Sequence, residues 1–148
     1  MKTFTFLGLF LSLIICSCTQ QESKFPQGAW QLVYSQGTKT DSLGNVVAID
    51  FHPTSVKMWS EKNFSFIGQW KQDTLIRDFY GGGTYTLNGN QYEEKMIYHF
   101  GRPKTVLNWT SKALLELKND TLIQTYPADD NWQIDKKKYY VEKYIQLK

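Results

Sequence analysis

The chain has 148 residues with 17 basic and 14 acidic side chains, a formal net charge of +3 that is too balanced for electrostatic capture of nucleic acid or an anionic lipid surface. Both cysteines, Cys16 and Cys18, lie near the N-terminus, which leaves the body of the chain without a disulfide, a reactive thiol or a cysteine metal site. Phe, Trp and Tyr make up 16% of the residues, a bias towards pleated, half-buried surfaces.

Lys2 and the apolar run Phe4 to Ile15 read as a targeting segment, the run being too short to span a bilayer as a helix. In Ile15-Cys16-Ser17-Cys18 an apolar residue stands three before Cys18 and a small one just before it, which resembles the lipobox of bacterial lipoproteins. Cys16 fits less well, because bulky Ile15 precedes it. An ordinary secretory signal cut after Ser17 or Thr19, or an uncleaved anchor, is the competing reading. The lipobox resemblance implies a signal peptide over 1–17 and acylation of Cys18 by more than one chain, as stable anchoring requires. It further implies an outer-membrane lipoprotein of a Gram-negative cell envelope, facing the periplasm or the surface. Residues 18–24 then form a polar, lipidated tether, and 25–148 one domain held by its core alone.

Trp30, Leu32 and Tyr34 alternate with Gln31, Val33 and Ser35 as a half-buried first strand, followed by a turn-rich loop over 36–45. Val46 to Phe51 is a second strand, stopped by Pro53, and Val56 to Ser60 a third. Phe64, Phe66 and Trp70 share a face of the fourth, where Gly68 marks a bulge or a close backbone approach. After a turn at Gln72-Asp73, Thr74 to Phe79 is a fifth strand, ended by a tight bend at Gly81-Gly82-Gly83. Asn88-Gly89-Asn90 then joins Tyr85-Thr86-Leu87 to a long strand in the clearest hairpin of the chain. Along that strand Tyr92, Glu94, Met96, Tyr98 and Phe100 face inward, and Glu93, Lys95, Ile97 and His99 outward. Gly101 to Lys104 is a turn and Thr105 to Trp109 a short strand. Ser111 to Lys118 is open to helix or strand, and the turn pair Asn119-Asp120 before Leu122 to Tyr126 favours strand. Pro127 to Asn131 is a loop, and Tyr139 to Leu147 a last strand with Tyr139, Val141, Lys143, Ile145 and Leu147 on one face. About eight to ten strands with regular turns predict an all-β fold, a single antiparallel up-and-down barrel.

Gly28-Ala29-Trp30 resembles the G-x-W start of lipocalins and the wider calycin group. The glycine-rich hairpin Gly81 to Tyr92 adds a likeness to small lipocalin-like lipoproteins of Gram-negative gut anaerobes. The resemblance implies that Gly28 lets the chain turn under the barrel, that Trp30 plugs its closed end, and that a basic residue of a late strand, here Lys143, covers Trp30. Snorkelling of Lys143 from the rim to water is the alternative. Two departures are expected: no helix after the last strand, as typical lipocalins have, and no room between the first two strands for the helical lid of fatty-acid-binding proteins.

Phe64, Phe66, Trp70, Tyr85, Tyr92, Tyr98 and Tyr140 are the candidates to line a ligand cup, or else to fill the core. Arg77 and Glu94 have mostly apolar strand neighbours. If both point inward they pair with each other or hold a ligand's polar head, while a bulge would send Glu94 outward. His52 and His99 read as surface or edge residues, and no metal-ligand spacing, phosphate loop or nucleophile elbow occurs, so neither metal nor cofactor is expected. The leading expectation is a non-enzymatic, monomeric binding protein, anchored to the membrane at Cys18, that holds a small apolar or amphipathic ligand. The runner-up is a surface module recognising a protein or glycan through Trp59, Trp109 and Trp132. An enzyme would need a histidine within reach of a carboxylate in a cleft.

Overall fold

A computed structural model describes residues 26–50, 53–72, 74–100 and 109–148. The leader over 1–17, Cys18, the tether, Phe51, His52, Asp73, the turn Gly101 to Lys104 and most of the strand Thr105 to Trp109 lie outside the described residues. Nine strands follow: β1 (Gly28–Thr40), β2 (Val46–Asp50), β3 (Thr54–Trp59), β4 (Asn63–Gln72), β5 (Leu75–Asn88), β6 (Gln91–His99), β7 (Thr110–Lys118), β8 (Thr121–Tyr126) and β9 (Tyr140–Gln146). Every pairing is antiparallel, and β9 returns to β1, closing an eight-stranded barrel of β1 and β3 to β9. The ninth strand, β2, continues the edge of β1 beyond β3: β3 pairs with Gly28 to Gln31 and β2 with Gln36 to Thr40. The loop expected over 36–45 is therefore shorter, because Gln36 to Thr40 find partners in both β2 and β9.

Turn chemistry works as the sequence suggests at two hairpins. Asn88 pairs Gln91 across Gly89-Asn90, and Asn119-Asp120 joins β7 to β8 with positive φ at both residues (49° and 59°). Ser111 to Lys118 is strand, as preferred. The glycine run behaves differently from the tight bend expected. β5 passes straight through Gly81-Gly82-Gly83, which pair with Phe66, Ser65 and Phe64 of β4. Their bareness serves crowding rather than turning: a Cβ on Gly81 would lie 2.6 Å from the Phe66 ring, and one on Gly83 would strike the Lys95 carbonyl oxygen.

Two β-bulges reset which side chains face inward. On β1 the extra residue is Val33, between Leu32 (paired with Tyr144) and Tyr34 (paired with Lys143). On β6 it is Ile97, between Met96 (paired with Gly83) and Tyr98 (paired with Gly82). Each bulge inverts the alternation beyond it. Tyr34 thus turns outward, away from Trp30 and Leu32. Tyr98 and Phe100 also turn outward, 49% and 52% exposed, while His99 turns in. On β9 the inward face is the one opposite to that expected: Tyr144 pairs with inward Leu32 and Leu122, so Tyr140 and Glu142 share its face and Lys143 does not.

The core fills one half of the barrel. Trp30, Trp59, Phe64, Tyr92, Leu115, Leu122 and Tyr144 are buried together, with Trp59 edge-on to Tyr92 and Tyr144 at ring separations of 6.5 and 5.9 Å. Trp30 donates its indole N–H to the Pro26 carbonyl at 2.7 Å. Gly28 enters β1 at φ 116°, a conformation that L side chains rarely adopt, and a Cβ there would press on the Gln146 amide.

Candidate functional site

Inward positions in the other half carry small or polar residues, Ser55 on β3, Ser111 on β7 and Gln124 on β8, while the rings of Phe79 and Phe66 lie over Gly68 and Gly81. Short side chains on a cylinder of this width leave space. The result is a cavity of about 230 Å³. Its apolar wall is Leu32, Phe66, Phe79, Met96 and Trp109, and its polar wall comprises Ser55, Lys57, Glu94, His99, Ser111, Gln124, Tyr126, Glu142 and Tyr144.

The centre of the polar wall is a hydrogen-bonded set from β3, β6 and β8, which are not neighbours in the sheet. Lys57 of β3, 6% exposed, donates to Glu94 of β6 at 2.8 Å and to Gln124 of β8 at 3.2 Å. The same ammonium lies over the rings of Trp59, Phe64 and Tyr92, at 5.0, 5.2 and 5.4 Å from their centroids. Glu94 also accepts from the Tyr92 hydroxyl (2.9 Å), which in turn accepts from the Trp59 indole N–H (3.0 Å). This chain of donors holds a charged pair in a desolvated place, and a buried charge is tolerated only when so partnered. Among the described residues no buried side-chain nitrogen or oxygen lacks a partner.

A second carboxylate lies further along the wall. Glu142 of β9 accepts from Tyr126 at 2.9 Å on one oxygen and from Tyr144 at 2.5 Å on the other. Burial first, and then the charge of Glu142, push both phenols well above the ordinary tyrosine range, with Glu94 adding to the effect on each. Tyr92 is raised for the same reasons, burial and then Glu94, against the donation from Trp59 that lowers it. All three therefore stay protonated and act as donors at neutral pH. The ion pairs among the described residues are Lys57–Glu94 and Lys112–Asp130, so no cation sits on Glu142.

The residues expected to line a cup distribute over four places. Phe66 and Glu94 do line the cavity. Phe64, Tyr92 and Tyr85 belong to the packed half, Tyr85 donating to the Ser60 carbonyl at 2.6 Å. Trp70 and Arg77 meet at the rim, where the guanidinium lies 6.0 Å from the indole centroid, so Arg77 is not the partner of Glu94. Tyr98 is on the outside because of the Ile97 bulge, and Tyr140 is half-buried, stacked on Tyr126 at 5.4 Å. Lys143 does not cover Trp30. It lies on the outer face, 4.7 Å from the Tyr34 ring centroid, since Tyr34 is its cross-strand partner beyond the Val33 bulge.

Lys57 is the consequential omission from the sequence reading. It stands two residues from Trp59 on one strand, as Glu94 stands two from Tyr92 on another, so alternation carries each charge inward with its aromatic neighbour. Trp59, which the surface-module reading needs exposed, is 3% exposed. Trp132 is half-buried beneath Lys112 (5.5 Å), and Trp109 stands at the cavity, so the three tryptophans form no common patch. His99 meets the Phe100 carbonyl at 2.6 Å through Nδ1 rather than a carboxylate. Trp109 is itself 53% exposed, and on the outer wall Tyr80 and Phe100 stack at 4.8 Å. Among the described residues no three His, Cys, Asp or Glu side chains gather as metal ligands, and no helix is long and apolar enough to cross a membrane.

Compared with known proteins, the chain matches no family, and no curated protein matches its sequence.

Proposed function

We propose that this chain is a lipocalin-like binding protein, tethered to the cell envelope through Cys18, that holds one small amphipathic molecule inside its barrel. The observation that carries the reading is the cavity: about 230 Å³ in the half of the barrel lined by serine, hydrogen-bonded charges and aromatic rings. Its volume lies just below the range usual for ligand clefts, which selects a compact molecule. One wall offers aromatic and aliphatic surface in Phe66, Phe79 and Trp109, and the other offers fixed hydrogen-bonding groups, the combination by which pockets orient ligands. The Gly28-Ala29-Trp30 start, with Trp30 buried in the packed half, agrees with the lipocalin resemblance. Anchoring rests on the Ser17-Cys18 sequence alone.

The test is native mass spectrometry of the full chain purified in mild detergent. A small molecule should co-purify with the wild type and be lost from Ser55→Trp, whose indole would fill the cavity. Retention by that variant of whatever the wild type carries would show that the ligand sits elsewhere, and no co-purifying or added small molecule in either protein would end the reading. Metabolic labelling with a fatty-acid probe should mark the wild type and not Cys18→Ala.

A further inference from the structure

The cavity has a preferred charge, which follows from how its ionisable groups are already committed. The one lysine among its described lining residues, Lys57, donates hydrogen bonds to Glu94 and Gln124 and lies over three aromatic rings. Two of its three N–H donors are thus committed, its charge is matched by Glu94, and the ammonium is screened by aromatic rings. Glu142 is in the opposite condition. A carboxylate has about four acceptor positions, and the two phenols fill one on each oxygen. They hold the group in place without neutralising it, since both remain protonated. Among the described residues of the wall Lys57 and Glu94 cancel, which leaves one negative charge in excess at Glu142, with His99 the remaining titratable side chain apart from the phenols.

We infer that Glu142 anchors a cationic group of the bound molecule, a primary amine or amidinium on a compact apolar body. The inference rests on the reading of the cavity as a ligand site and specifies its chemistry. The cation donates to the free acceptor positions of Glu142, and the body lies against Phe66, Phe79 and Met96. Tyr126 and Tyr144 are positioning residues, which fix the carboxylate before the ligand arrives and so limit the ordering cost of binding.

Three probes with one body separate charge from shape: benzylamine, benzyl alcohol and benzoate, titrated calorimetrically into the full chain in detergent. Benzylamine should bind about tenfold or more tightly than benzyl alcohol, benzoate should bind weakest, and Glu142→Gln should remove the advantage of the amine. Glu142→Gln keeps the side-chain shape and an oxygen that still accepts a phenol proton. If that variant fails to fold, the wild-type series decides by itself. Benzyl alcohol or benzoate equalling benzylamine, or Glu142→Gln binding the amine undiminished, overturns the charge assignment while the cavity remains a ligand site. No binding of any probe at millimolar concentration also overturns it, and the broader reading fails too only if nothing co-purifies with the wild type.

Discussion

The two halves of this barrel are built from the same strands and solve opposite problems. In the packed half, Trp30, Trp59, Tyr92, Leu115 and Leu122 fill the cross-section; the Trp30 indole donates to the Pro26 carbonyl ahead of β1, and the Trp59 and Tyr92 protons run towards Glu94 at the boundary with the other half. In the cup, inward positions four residues from Trp59 and Leu115 on the same strands carry Ser55 and Ser111, and the volume left is bordered by charge. Whether an eight-stranded barrel is plugged or hollow is thus decided locally by side-chain size, and one molecule can be both. Tyr92, Tyr144 and Lys57 sit on the boundary, with rings or stem in the core and polar atoms on the cup carboxylates.

That contrast makes the two halves separable by mutation. Trp30→Ala in the packed half should cost about 3–5 kcal/mol in urea unfolding, with transfer and cavity terms both against it. At the boundary, Lys57→Met leaves Glu94 buried beside apolar rings and should cost a similar amount, about 3–5 kcal/mol. The double variant Lys57→Met/Glu94→Leu should recover most of it, and failure to recover would mean that the pair is needed for more than its own compensation. Gly83→Ala forces a methyl against the Lys95 carbonyl where β5 meets the β6 bulge, and should cost about 1–3 kcal/mol, seen as a lower urea midpoint.

Alkaline titration compares the halves without mutation. Tyr92, Tyr126 and Tyr144 ionise above the ordinary 10.0 when folded and near it when unfolded, so the folded state holds more protons in that window. Their contribution is complete below pH 10 and lost as pH rises towards the folded values. Urea midpoints should therefore be level to about pH 10 and fall beyond it, with the buried phenols lagging the exposed ones in phenolate absorbance. The smallest effect belongs to the rim, where Arg77→Ala removes an exposed cation–π contact with Trp70 and should cost about 0.5–1 kcal/mol.

The strands, their hairpins and the buried Trp30 were legible in the sequence because period-two patterning and turn chemistry are local signals. The cup was not, for two reasons. Val33 and Ile97 are ordinary β-formers, and nothing in their identity marks them as the unpaired residues that reverse Tyr34, Tyr98 and His99. Lys143 and Glu142 were exchanged because the aliphatic face of β9 looked interior, whereas the register with Leu32 and Leu122 buries the face of Tyr144 and leaves Ile145 45% exposed. Pairing across strands decides which face is buried, and a single strand read alone does not contain it.

The bulges follow Leu32 and Met96, the two aliphatic residues that belong both to the core and to the cavity wall. Each therefore marks a seam where one half gives way to the other. Deleting Val33 or Ile97 would bring Leu32 next to Tyr34, or Met96 next to Tyr98, on cross-strand partners that are already adjacent, so both halves would keep their facing and only the local bend of the bulge would be lost. These positions are the natural splice points at which a different cup could be grafted onto the same base.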